Sequence, residues 1–140
     1  MNASDLLKYQ MNDAGYQLGQ VLKDVRDADL DFRISGDSMS MRQTVGHLSD
    51  AYLAMIASLE GRKYDWGSYV PPTDAGELLK ACFDLRGQAV NKILGAGTDE
   101  ALQGGSQYIV AHDFYHVGQL AATRIASEPG WDAYSIYQMG

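Results

Sequence analysis

The residues with the clearest chemical potential are His47, His112 and His116, which are the three histidines of the 140-residue chain. His112 and His116 stand four residues apart in the segment AHDFYHVGQ, a spacing that places both rings on one side of a helix. Two such rings can share one metal ion, and His47 supplies a third nitrogen. The histidines predict an open three-His site for one divalent ion. The alternative for each ring is an ordinary hydrogen-bonded histidine beside the core.

The predicted chemistry follows from the charge and geometry of such a site. Three neutral imidazoles leave the ion its double positive charge, and an open fourth position admits water or a substrate atom. This favours either hydrolysis by activated water or transfer chemistry with a small thiol held as thiolate. Zinc is the expected ion, and nickel, iron and copper also suit histidine ligands.

Two other side chains could take part. Gln119 follows His116 by three residues and is a candidate for orienting a ligand or the bound water, with an ordinary polar helix contact as the alternative. Cys82 lies on an apolar helical stripe, where a buried, unreactive thiol is the expected state.

Four amphipathic helices must position these residues. Apolar side chains repeat at intervals of four and three, which is typical of helices with one buried face. Helix starts and stops are indicated by capping residues, glycine and proline. The predicted helices run from Asp5 to about Val25 with Ser4 as N-cap, from Ser40 to Gly61, from Asp74 to Gly95, and from about Ser106 to Glu128 after a link that ends at Gly104 and Gly105.

These elements predict an all-α four-helix bundle, since a bundle buries every apolar stripe. The segment from Gly61 to Thr73 contains Pro71, which disfavours a helix there. A dozen extended residues can span about 40 Å, so this link can run the length of the bundle and leave the second and third helices parallel. The aromatic tail WDAYSIYQMG is expected to cover a bundle end or to meet a partner.

Composition limits the class of protein. A chain of 140 residues with 46% hydrophobic content predicts one domain, spanning 1–140. The net charge of −7 argues against binding nucleic acid or an anionic membrane. A single cysteine allows no internal disulfide, and neither a signal peptide nor an apolar span of about 20 residues is evident. We expect a soluble, cytoplasmic protein.

Two segments resemble the DinB-like superfamily of metalloenzymes: SMSMRQTVGHLSDAY, which holds His47, and the pattern H-x-x-x-H-V-G-Q-L, which begins at His112. The resemblance covers the chain from the first helix to Arg124. It implies a divalent-metal site on the three histidines, an up-down-down-up bundle with a long crossover between helices 2 and 3, a small-molecule substrate and a homodimer. Relatives include hydrolases and thiol-dependent transferases and isomerases.

The sequence also departs from this family. Some thiol-dependent relatives carry a carboxylate four residues after the histidine of helix 2, where this chain has Ala51. Asp50 is the nearest substitute and is a candidate catalytic residue, with an exposed helix acid as the alternative. The enzymatic interpretation competes with a non-catalytic metal-binding or dimeric interaction module.

Overall fold

A computed structural model of the chain describes residues 1–138, which contain helices and no strands. The α-helices are α1 (Ala3–Leu22), α2 (Met41–Leu59), α3 (Ala75–Ala96), α4 (Asp99–Gly105) and α5 (His112–Ser127). A π-helical segment (Ser106–Ala111) joins α4 to α5 without a break, and 3-10 turns occupy Asp27–Asp29 and Ala133–Ile136. The continuous rod from α4 to α5 is the fourth helix of the bundle, so the predicted all-α four-helix bundle is confirmed.

Capping residues explain where the helices start. Ser40 accepts a hydrogen bond from the Gln43 amide and Gln43 bonds back to the Ser40 amide, so the predicted capping box of α2 is confirmed. Asp74 caps α3 in the same position, through the Glu77 amide. The N-cap of α1 is Asn2 and not Ser4, because Asn2 forms a reciprocal capping box with Asp5.

Two helix ends differ from their predicted positions. α1 stops at Leu22, three residues before Val25, and Asp24 adopts a positive φ of 56°. α3 continues past Gly95 to Ala96 and ends where Gly97 takes the left-handed conformation at φ 61°, which glycine adopts at low cost.

The fourth helix begins earlier than predicted, at Asp99 after the N-cap Thr98. Gly104 and Gly105 lie inside this helix, where the sequence predicted a link. Neighbouring side chains leave no room for a larger residue at either position. A Cβ on Gly104 would lie 2.6 Å from Met55 Cε, and one on Gly105 would lie 3.0 Å from a methyl group of Ile93. These glycines therefore permit close helix contact and do not end a helix.

Contacts at the helix ends establish the directions of the helices. Arg42 of α2 donates to the Thr73 carbonyl just before α3, and Glu60 after α2 pairs with Lys92 near the end of α3. α2 and α3 are therefore parallel. Arg124 near the end of α5 donates to the Val21 carbonyl at the end of α1, so the first and fourth helices are also parallel. Gly104 near the start of the fourth helix faces Met55 near the end of α2, so these two pairs run in opposite directions, and the predicted up-down-down-up order with its long crossover is confirmed.

One core runs through the bundle, with Met11, Leu18, Leu48, Leu78 and Leu120 among its buried side chains. In the tail, Ile136 is buried and Trp131 packs against the core beneath the guanidinium of Arg124, 4.8 Å from the ring centre. The described part of the tail therefore packs on the bundle, and its last two residues, 139 and 140, lie outside the described region. Among residues 1–138, no helix combines the length and apolarity needed to traverse a bilayer.

Candidate metal centre

The three histidine rings meet between α2 and α5. The Nε2 atom of His112 lies 3.2 Å from Nε2 of His47 and 3.0 Å from Nε2 of His116. One ligand nitrogen from each ring lies within 4.8 Å of the other two. The structure thus brings together all three histidines that the sequence singled out, from two helices that are far apart in the chain.

Two of the three separations between ligand nitrogens suit one tetrahedral ion. Zinc–nitrogen bonds of about 2.0–2.1 Å place two ligand nitrogens about 3.3 Å apart, close to the separations of 3.2 and 3.0 Å seen here. Across residues 1–138, this cluster contains no carboxylate or thiol. A divalent ion held by the three rings would therefore keep a coordination position for water or a substrate atom.

Hydrogen bonding determines which nitrogen of His116 is free to bind a metal. The Nδ1 atom donates to Gln119 Oε1 at 2.8 Å, and the Gln119 amide donates to the Tyr115 hydroxyl at 3.1 Å. Because Nδ1 carries the hydrogen, Nε2 keeps its lone pair and directs it into the cluster. Gln119 contacts the histidine that the sequence indicated, and its role at a metal stays a prediction.

Protein groups alone do not satisfy the ring of His112. Its Nδ1 is buried and has no hydrogen-bond partner among the described residues. Its Nε2 faces two other ring nitrogens, and a neutral imidazole has at most one hydrogen to donate there. A cation shared by three lone pairs would remove this conflict. The donor set therefore fits a metal ion better than an ordinary polar cluster.

Burial also affects protonation of the cluster. It lowers the pKa of His116 to about 4, with the neighbouring His112 ring as the second cause. Burial and the nearby His47 ring likewise lower the pKa of His112. A lowered pKa keeps an imidazole neutral at pH 7, which is the form that binds metals.

The π-helical segment sets the orientation of α5. The buried residues of the rod follow one another at intervals of four, as Ala101, Gly105, Ile109 and Asp113. On a regular α-helix each such step would drift by about 40° around the axis, but the wider π turn compensates for this drift. His112 follows the π segment directly, so the segment helps to direct this ring toward α2. The four-residue intervals become visible only from burial, because Gly105 and Asp113 do not mark an apolar stripe in the sequence.

Asp50 has a different environment from the one expected. The sequence suggested an exposed helix acid as the alternative to a catalytic role, but Asp50 is only 8% exposed. One carboxylate oxygen accepts from the Tyr64 hydroxyl and the other accepts from the Gly67 amide at 2.9 Å. Asp50 therefore anchors the crossover between α2 and α3 to the bundle. Its catalytic role stays a prediction.

Asp113 is a second buried polar residue of α5, and the sequence analysis did not single it out. Asp113 is fully buried, accepts from the Tyr52 hydroxyl at 2.5 Å, and forms an ion pair with Arg86 at 2.8 Å. Arg86 also donates to the Met11 carbonyl at 2.5 Å. Burial raises the pKa of Asp113, although the Arg86 charge acts in the opposite direction. The sequence signal for this buried acid was its spacing of four residues from Ile109, which places both on the core stripe. A buried acid requires a hydrogen-bonding or charged partner.

A cavity of about 550 Å³ opens beside the cluster, and His112 belongs to its wall. The crossover contributes Arg62, Tyr64 and Trp66, and the π segment contributes Tyr108. The sequence analysis did not single out these four residues as functional. Aromatic residues clustered in a long connection were the only signal, and that signal does not indicate which face they line.

Cys82 is buried on α3 as predicted, with no exposed surface. Burial raises the pKa of its thiol to about 12, so the side chain stays a thiol at neutral pH. Thiolate is the reactive form. Cys82 therefore acts as a packing residue in the folded protein.

Comparisons of the chain with protein-family models, curated proteins and solved structures found no match. The resemblance to the DinB-like superfamily therefore stays a prediction from the two sequence segments.

Proposed function

We propose that the chain is a DinB-like, metal-dependent enzyme, in which His47, His112 and His116 hold one divalent ion that activates water or a small thiol. The observation that carries the proposal is the meeting of three Nε2 atoms without a fourth protein ligand among the described residues. A structural zinc site closes its coordination shell with a fourth ligand, whereas a catalytic site keeps one position free. The cavity whose wall includes His112 leaves room for a substrate beside the cluster.

Zinc is the proposed ion, with nickel or iron as alternatives, because each suits imidazole ligands. When bound, such an ion lowers the pKa of water or of a thiol and polarises a carbonyl oxygen. The chain itself orients the ligands: Gln119 holds the tautomer of His116, and packing of α5 fixes its rings relative to His47. We propose a homodimer from the same resemblance, which sedimentation of the purified protein can test.

Metal analysis of purified protein tests the site. We expect about one ion per chain and loss of that ion in His116→Ala. Asn91→Ala is the matched control, because Asn91 is an exposed residue of α3. Full metal content in His116→Ala would contradict the ligand assignment.

Cobalt substitution separates an enzyme from a metal-binding module with a closed site. We expect a small thiol such as 2-mercaptoethanol to bind Co²⁺-loaded protein and to produce a sulfur-to-cobalt charge-transfer band. A closed structural site would give no such band, because no coordination position would be free. Hydrolysis is then tested with p-nitrophenyl acetate, using His116→Ala as the inactive control.

A further inference from the structure

The cavity beside the histidine cluster has walls of two kinds. The α2 wall consists of the small or flexible apolar side chains of Ala51, Ala54 and Met55 together with the hydroxyl-bearing Ser58, while Tyr64 and Trp66 from the crossover supply aromatic rings. The volume of about 550 Å³ falls in the usual range for small-molecule sites. Alanines leave room and aromatic rings offer flat faces, so the cavity suits a ligand with a planar apolar body.

The aromatic wall is held in place before any ligand binds. Asp50 accepts hydrogen bonds from the Tyr64 hydroxyl and from the Gly67 amide, on either side of Trp66. The rings of Tyr64 and Trp66 pack edge to face, with centroids 5.8 Å apart. A site formed in advance loses less conformational entropy when it binds a ligand.

The charge of the cavity is opposite to that of the chain. Among the described residues that line the cavity, Arg62 is the one Arg, Lys, Asp or Glu, in a protein with a net charge of −7. Its Nε donates to Glu60 at 3.1 Å, but Glu60 also pairs with Lys92 at 3.3 Å. Because one carboxylate is shared between two cations, the part of the cavity wall formed by Arg62 favours an anion.

We infer that this cavity is the binding site for a small anionic ligand with a ring-sized apolar body, which stacks against Tyr64 and Trp66 and places its anionic group at Arg62. The ligand class depends only on the cavity. The further statement that its reactive group faces the ion at His112 rests on the proposed function.

Two fluorescent dyes with a common aromatic body test both parts of the inference. The anionic probe is 1-anilinonaphthalene-8-sulfonate, and the neutral probe is N-phenyl-1-naphthylamine, which lacks the sulfonate. Both are titrated into chelator-treated protein, so that the result does not depend on the metal. We expect both dyes to bind the wild-type protein with one saturable site.

Two variants and two controls locate the binding site. Ala54→Trp fills the cavity and should abolish binding of both dyes, whereas Ala126→Trp, on an exposed part of α5, should not. Arg62→Gln should weaken the anionic dye by about three- to fivefold, the range for a partly exposed charge pair, and should leave the neutral dye unchanged. Arg33→Gln is the control for loss of an exposed arginine.

Three results would overturn the inference: no saturable dye binding to the wild-type protein, unchanged binding in a folded Ala54→Trp variant, or equal weakening of both dyes in Arg62→Gln. Circular dichroism checks the fold of each variant, and Arg62→Gln keeps the test valid if Ala54→Trp does not fold. Metal content is measured on each preparation before the chelator treatment. Normal dye binding by wild-type protein that contains no metal would contradict the proposed function alone. Bound metal without saturable dye binding would contradict this inference alone.

Discussion

Helix α5 contributes to two polar clusters that differ in how their groups are satisfied. In the first cluster, both oxygens of Asp113 accept hydrogen bonds from protein groups, Tyr52 and Arg86. In the second, the Nε2 atoms of the three histidines face one another, and His112 Nδ1 has no partner among the described residues. A cluster that satisfies itself is structural, whereas one with converging ring nitrogens is able to take a ligand from outside the protein.

The largest effect is expected from breaking the self-satisfied cluster. Arg86→Met leaves the charge of Asp113 buried without a cation, and we expect it to lower the free energy of unfolding by about 3–5 kcal/mol. Urea unfolding measures this loss. The double variant with Asp113→Leu should regain much of the stability, since it removes both charges. Wild-type stability of Arg86→Met would show that the pair has no structural role.

Metal removal tests the histidine cluster through the same quantity, the free energy of unfolding. With free zinc at about 100 times its Kd, we expect the free energy of unfolding to exceed that of chelator-treated protein by about 3 kcal/mol. His112→Ala should abolish the difference between the two conditions. Equal unfolding curves for wild-type protein with and without zinc would remove the distinction between the two clusters.

A smaller effect should follow from the residue that orients a ring of the histidine cluster. Gln119→Ala removes the acceptor for His116 Nδ1, and we expect about a tenfold loss of metal affinity. Competition with a chromophoric chelator measures the affinity. Gln103→Ala, an exposed change in α4, is the control. If both variants bind zinc equally tightly, Gln119 does not orient the ligand.

The smallest effect is expected at Asp50, which lies one helical turn from His47. Asp50→Asn weakens the anchor of the crossover and should cost about 1 kcal/mol, with faster tryptic cleavage after the exposed Lys63. Metal content should not change, because Asp50 is outside the cluster. Asp84→Asn, at an exposed acid of α3, is the control. Loss of activity without faster cleavage would instead support the catalytic role predicted for Asp50.

Local rules predicted most of the fold. The capping box at Ser40 and the apolar repeat of each helix were readable from neighbouring residues, because caps and amphipathic faces depend on short spacings. One error arose where distant residues decided the local structure. Gly104 and Gly105 were interpreted as a link, but they lie within α4, where their lack of a side chain leaves room for Met55 and Ile93.

The sequence by itself determined the ligand types, the pairing of His112 with His116 on one helix face, and the set of apolar stripes. Only the tertiary structure decided that His47 approaches that pair, that Arg86 neutralises Asp113, and that the crossover places aromatic rings beside His112. The physical reason is the range of the interactions. Helical periodicity relates residues three or four apart, whereas these contacts join residues separated by 27 to 65 positions, and they form only when whole helices pack.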